Sequence, residues 1–310
     1  MVEHQEIATY SDEQIDRYLS FISFPTSKYG KFSAKTATSE EALEYLTTLQ
    51  KQQLSTIPFE NLDLHYSTHR TISIDKDDMY EKIVTANRGR GGYCMQVNLF
   101  FATVMKSLGF ELIATGGRVH IDGGPGEWSH QVNLVQINET IYLVDVGFAN
   151  PGSLNPLPLR DGLITNWGAT DSQCRLIYQA SKMSFAPGLW IYQHRETESH
   201  DWLTVYSFGL TPFYPNDFQA MSFAVSNRKT SFFTHKVVVT KFILDPEVNH
   251  ITGCYTLFER TIKKRLGDKT EVLVELKNEK ERIVALEKYF GIKLTEKEQN
   301  AIKGTMTDLK

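Results

Sequence analysis

The chain has 310 residues, more than the ~250–300 at which a single hydrophobic core stops growing, so its length allows two or three domains. Its 33 basic and 37 acidic side chains leave a net charge of −4, with no basic excess to suit nucleic acid. No run reaches the roughly 18 apolar residues of a membrane helix, the start MVEHQEIATYSDEQ is polar and acidic where a secretion signal is basic and then apolar, and Cys94, Cys174 and Cys254 show no CxxC. The expectation is a cytoplasmic protein with neither disulfide framework nor zinc ribbon.

The first ninety residues predict helices. Ser11 with Gln14 forms a capping-box pattern ahead of the stripe Ile15, Tyr18, Leu19 and Ile22, and Thr38 with Glu41 opens a second helix carrying Ala42, Leu46 and Leu49. SIDKDDMYEKIVTAN is acidic at its start and sets Met79, Tyr80, Ile83 and Val84 on one side. Residues 88–101, RGRGGYCMQVNLFF, place three glycines and two arginines before a lone cysteine. The helix that follows buries Val97, Phe101, Val104 and Leu108 and stops at Gly109. From residue 111 the period changes: ELIATGGRVHI, HQVNLVQI, IYLVDVGF, RLIYQA, LWIYQHRE and WLTVYSF read as strands of an antiparallel sheet or barrel. Beyond about residue 206, HKVVVTKFIL, EVLVELKN and a closing helix EKERIVALEKYFG predict a smaller α/β unit.

A helix that begins at or just after Cys94 sets the thiol on free backbone N–H groups at the positive end of the dipole, where cysteines are reactive. Gly91 and Gly92 permit a sharp turn and close approach of a substrate, and the neighbouring amides suit a developing oxyanion. A buried cysteine in a tight corner is the plain alternative. If Ile137 pairs with Thr140 across Asn138–Glu139, Val132 faces Asp145, and His130 lies diagonal to Asp145 on one sheet face. An aspartate in an apolar strand needs a partner, and an imidazole supplies one. Cys, His and Asp in that order can deprotonate a thiol. As metal ligands the same three lack a fourth at ligand spacing, so no metal is expected. Gly116–Gly117 and GGPGEW, residues 123–128, read as turns, and NRKTSFFTHK, residues 227–236, as a solvated loop whose hydroxyls, Arg228 and Lys229 suit a phosphorylated ligand.

RGGYCMQVN around Cys94, His130 before its strand, YLVDVGF around Asp145 and IPFENLDLH at residues 57–65 resemble the arylamine N-acetyltransferase family in order and spacing. The resemblance implies an α+β fold: a helical bundle over residues 1–90, an antiparallel β-barrel over 91–205 with the cysteine at its junction with the bundle, and an α/β lid over 206–310. It implies a cysteine-protease-like triad in which Cys94 accepts the acyl group, His130 is its base and Asp145 orients the imidazole. Phe148 then lines the aromatic-amine pocket, Glu60 and Arg90 buttress the cysteine loop, and Gly126, Thr230 and Ser231 contact coenzyme A. The implied reaction is ping-pong transfer from acetyl-CoA to an aromatic amine or hydrazine. Propionyl- or malonyl-CoA as donor, or a Cys-His-Asp hydrolase or transglutaminase-like reaction, is the alternative.

Overall fold

The computed structural model describes residues 6–121, 123–168 and 170–310, so MVEHQ of the N-terminal stretch lies outside it. Helix α1 (Asp12–Phe21) starts on the Ser11–Gln14 capping box; α2 (Thr26–Tyr29) is a single turn; α3 (Ser39–Thr56) starts on the Thr38–Glu41 box. After a two-residue strand, β1 (Phe59–Glu60), Asp75 caps α4 (Lys76–Tyr80), which widens into a π-helical turn over Glu81–Thr85. Helix α5 (Cys94–Ser107) ends where Gly109 turns the chain at φ +88°. Every residue of α5 from Cys94 to Met105 is buried, so this is an enclosed helix rather than one with a solvated face.

Strands β2 (Glu111–Ile121), β3 (Gly124–Ile137), β4 (Thr140–Val144), β5 (Leu157–Pro158), β6 (Ile164–Asn166), β7 (Gln173–Gln179), β8 (Leu189–Arg195) and β9 (Leu203–Phe208) pair antiparallel in the order β5-β4-β3-β2-β9-β8-β7-β6. Among the described residues the expected barrel is therefore an eight-stranded sheet with two ends. The end strands have two and three residues, and Pro158 brings no N–H with which to extend a ladder, so the edges stay unpaired with each other. Two stretches expected as turns are strand instead. Gly116 and Gly117 lie inside β2, and Gly124–Trp128 open β3, because Ile121 already pairs with Gly124 and the reversal is confined between them.

Helix α6 (Pro215–Asn227) was not expected, although Pro215 at its first position and an Asp217 capping box are start signals. The C-terminal region continues with β10 (Val238–Asp245), β11 (His250–Phe258), β12 (Thr261–Leu266), β13 (Lys269–Glu275), α7 (Glu279–Ala285), a π-helical turn over Leu286–Phe290, and α8 (Glu296–Ala301). Its meander takes β1 as an extra edge strand, with Phe59 opposite Thr240. One hydrophobic core joins the N-terminal helices to the eight-stranded sheet, and a second fills the C-terminal region. A third, with Phe59, Tyr93, Met95, Ala114 and Phe218, surrounds Cys94.

Candidate active site

Cys94 is the first residue of α5 and is 3% exposed. No intrahelical acceptor exists for the first amides of a helix, so the sulfur sits beside free N–H groups. Its thiol donates to the Ser129 carbonyl at 3.5 Å and lies 3.1 Å from the Met95 sulfur. Ser129 is the extra residue where the β2–β3 register slips, Gly117 pairing with His130 but Arg118 with Trp128. Such a bulge re-aims the side chain after it.

The 137–140 pairing holds, and β4 stays in register to Asn133 opposite Val144. One step further, just past the strand end, Asp145 accepts from His130 Nε2 at 2.8 Å through Oδ2. Its Oδ1 accepts from the Asn98 side chain at 2.9 Å and the Gly147 amide at 2.8 Å. All three carboxylate contacts are made at 1% exposure, which is how a buried charge is tolerated. Burial works against the imidazolium, but the Asp145 carboxylate outweighs it and Cys94 adds to it, so His130 is pushed up to about 10. Burial likewise opposes the carboxylate, and His130, Asn98 and Gly147 more than compensate, so Asp145 is lowered. Because Nε2 is taken by Asp145, Nδ1 is the nitrogen left to serve the thiol.

Two residues missed in the sequence complete this frame. Asn98, one turn after Cys94, bonds Asp145 and also the backbone of Gln131 and Val146, so it ties α5 to both strands of the hairpin. The glycine of DVGF has a packing reason: a Cβ on Gly147 would fall 2.9 Å from the Cys94 Cα and 2.6 Å from the Asn98 amide nitrogen. An asparagine four residues after the cysteine was the available signal.

The loop before Cys94 is held by charge. Arg90, 3% exposed, donates through Nε to Glu60 at 3.0 Å, through Nη2 to Asp63 at 2.5 Å and through Nη1 to Glu298 at 2.7 Å. Lys82 adds a second cation, 2.5 Å from Asp63. Burial disfavours the guanidinium, yet Glu60 and Asp63 raise Arg90 above its ordinary value; burial also disfavours the Asp63 carboxylate, and Lys82 and Arg90 lower it. Glu60 accepts from the Gly91 amide as well. A Cβ at Gly91 would sit 1.9 Å from the Pro58 carbonyl, so it is the 57–60 segment, not a substrate, that requires this glycine.

A model of the N-acetyltransferase family matches residues 42–299. The chain is 37% identical to the N-malonyltransferase FDB2 of Fusarium pseudograminearum, over 94% of this chain and 92% of that one. The chain belongs to the arylamine N-acetyltransferase family. It is 28% identical to arylamine N-acetyltransferase 2 of Mesocricetus auratus, over 82% and 89% of the two chains. Its fold matches Mycobacterium marinum arylamine N-acetyltransferase in complex with CoA at a TM-score of 0.75 and 22% identity, over 95% and 98% of the chains. It is an acyltransferase of this family.

The remaining expected site residues fall in two places. Phe148 stands edge-on to His130, ring centres 5.1 Å apart, and against Tyr206 at 5.2 Å, so it forms one wall beside the imidazole. Gly126 lies in β3, its carbonyl taken by Arg118 Nη1 at 2.9 Å. Thr230 is exposed and Ser231 buried in the turn after α6. These two stretches meet through an ion pair between Arg228 and Glu127, which lowers Glu127 below its ordinary value. Among the described residues there is no cluster suited to a metal ion and no helix long and apolar enough to cross a membrane.

Proposed function

We propose that the protein moves an acyl group from an acyl-CoA to the nitrogen of an aromatic amine through an acyl-Cys94 intermediate. The observation that carries this reading is the imidazole of His130 held between the Asp145 carboxylate and Cys94 at the start of α5. His130 takes the Cys94 proton, and the sulfur attacks the thioester carbonyl. The bond to the coenzyme A sulfur breaks, and coenzyme A leaves with the proton from His130. One thioester replaces another at little free-energy change, so the acyl group can wait for the second substrate. The amine then attacks acyl-Cys94, a C–N bond forms as the C–S bond breaks, and the amine proton passes through His130 to the sulfur. Phe148, half-buried and backed by the buried Tyr206 ring, supplies flat apolar surface for an aromatic acceptor.

For the donor, the 37% identity to a protein named N-malonyltransferase favours malonyl-CoA. The arylamine N-acetyltransferase relatives support acetyl-CoA as the second reading. Acetyl-, propionyl- and malonyl-CoA, each offered without amine, decide between them by intact-protein mass. The expected result is one acyl mass on wild type, greatest with malonyl-CoA, and none on Cys94→Ala. An adduct on Cys174 or Cys254 removes Cys94 from the role. With amine present, free acid in place of N-acylated product would make the enzyme a hydrolase.

A further inference from the structure

Arg90 spends its three donor positions on three carboxylates from three parts of the chain, and the third comes from α8, more than two hundred residues away. Glu298 presents Oε1 to Arg90 Nη1 at 2.7 Å and to Arg88 Nη2 at 3.3 Å. Its Oε2 closes the capping box of α8 on the Thr295 amide at 2.7 Å and also meets Arg88 Nη1. The backbones run together alongside: the Lys293 amide donates to the Arg88 carbonyl at 2.9 Å, and Arg88 Nη1 returns to the Lys293 carbonyl at 3.3 Å. The segment from Lys293 into α8 is therefore fastened to residues 88–90, four to six positions ahead of the thiol.

Beyond Arg90 the run is held chiefly through its backbone, with the Glu60 amide donating to the Gly92 carbonyl at 3.0 Å and Phe59 bridging Gly92, until Tyr93 is anchored on Ser222. Gly91 and Gly92 carry no side chains, and their amides are tied to Glu60 and to Pro58, the latter at a long 3.4 Å. Where this run points decides where Tyr93 caps α5 and hence where the Cys94 sulfur stands relative to His130. A displacement of about 1 Å at a reacting atom is enough to cost about 100-fold in rate.

We propose that Glu298 is a positioning residue for Cys94, holding the Arg90 guanidinium so that the C-terminal segment sets the aim of the nucleophile. Removing it leaves Arg90 its bonds to Glu60 and Asp63, so the loop loosens without unfolding. The proposal rests on Cys94 being the acyl acceptor.

The test uses two variants that separate the two jobs of this carboxylate. Glu298→Gln keeps one oxygen for the capping box, as Gln14 does in α1, but then turns an NH2 donor toward Arg90. Thr295→Ala damages the same cap and leaves the carboxylate facing Arg90. Single-turnover acylation, KM for the acyl-CoA, melting temperature and the rate of Cys94 alkylation by iodoacetamide are measured for both. In Glu298→Gln acylation should fall about 10–100-fold with KM changed less than about twofold. In Thr295→Ala the melting temperature should fall, as when a helix cap is lost, with acylation within about twofold of wild type. Acylation unchanged in Glu298→Gln, or reduced equally in both variants, overturns the proposal. A wild type that takes up no acyl group ends the acyl-transfer reading instead; alkylation rates then judge Glu298 alone, and equal rates in wild type and Glu298→Gln overturn its role.

Discussion

Two buried ionic groups flank Cys94, and they differ in what their cation can do. On the loop side, Arg90 meets Glu60, Asp63 and Glu298. A guanidinium does not deprotonate in a protein, so this group can only hold shape. On the sheet side, His130 meets one carboxylate, whose other oxygen is satisfied by two neutral donors. Its ring can lose and regain a proton, and Cys94 is among the groups that act on it. Both groups centre on a buried cation, Arg90 at 3% and His130 at 1% exposure, so burial alone does not make a site reactive. The titratable cation does.

The sharpest test of that difference is Asp145→Asn, which keeps the shape and removes the charge that favours the imidazolium. Acylation of Cys94 should drop by about 10⁴-fold, the loss typical of a triad whose orienting carboxylate is neutralised, with the circular dichroism spectrum unchanged. A drop of less than tenfold would reduce Asp145 to a strand-end residue and erase the contrast. Next in size, Arg90→Ala should lower the stability measured by urea unfolding by about 3–5 kcal/mol, because it takes the guanidinium from the buried Glu60 and leaves it only the longer contact to Lys82 at 3.8 Å. An unchanged unfolding midpoint would mean that the loop is held by Gly91 and its backbone bonds alone.

The sheet-side group was readable in the sequence because its parts are local. A two-residue turn at Asn138–Glu139 fixes the hairpin register, and the register carries His130 to Asp145. The capping boxes at Ser11 and Thr38 were readable for the same reason, since each joins residues three apart. The loop-side group was readable only in its Glu60–Arg90 half, and that through resemblance. Asp63, Lys82 and Glu298 reach Arg90 by tertiary packing, for which side-chain spacing gives no sign. The bulge at Ser129 and the edge strand at Phe59–Glu60 are hidden likewise, because each depends on which backbone lies opposite. Among the described residues the sheet keeps two ends, β5 and β6, whose lengths of two and three residues the hydropathy pattern does not give.

Acid–base titration of folding separates the two groups a third way. His130 rises from 6.5 to about 10 on folding, so the folded state holds its proton more tightly than the unfolded chain does. Its contribution is fully present below pH 6.5 and is lost as the pH climbs through that window. Melting temperatures taken across it should fall more steeply in wild type than in His130→Gln, whose side chain cannot take a proton. Parallel curves would mean that His130 is neutral in the folded protein, and the sheet-side group would then be a hydrogen bond rather than an ion pair.

The smallest expected effect comes from the ion pair that the surface offers for comparison, Arg228 with Glu127, whose side chains are 46% and 49% exposed. Here the sign is reversed: Glu127 is lowered by its bond to Arg228, so its contribution is present above the ordinary carboxylate value of 4.5 and is lost as the pH falls through the folded value. Water already solvates both partners, and an exposed pair of this kind is worth about 0–1 kcal/mol. Glu127→Gln should therefore leave urea stability at neutral pH within that range, and 1 M salt, whose screening length is about 3 Å, should remove whatever difference there is. The same salt should leave the Arg90→Ala deficit nearly intact, because buried pairs are screened far less. A Glu127→Gln loss comparable to that of Arg90→Ala, or one that persists in salt, would show that the Glu127–Arg228 link between β3 and the end of α6 is as rigid as the buried groups, and exposure would no longer explain why one ion pair shapes the site and another only borders it.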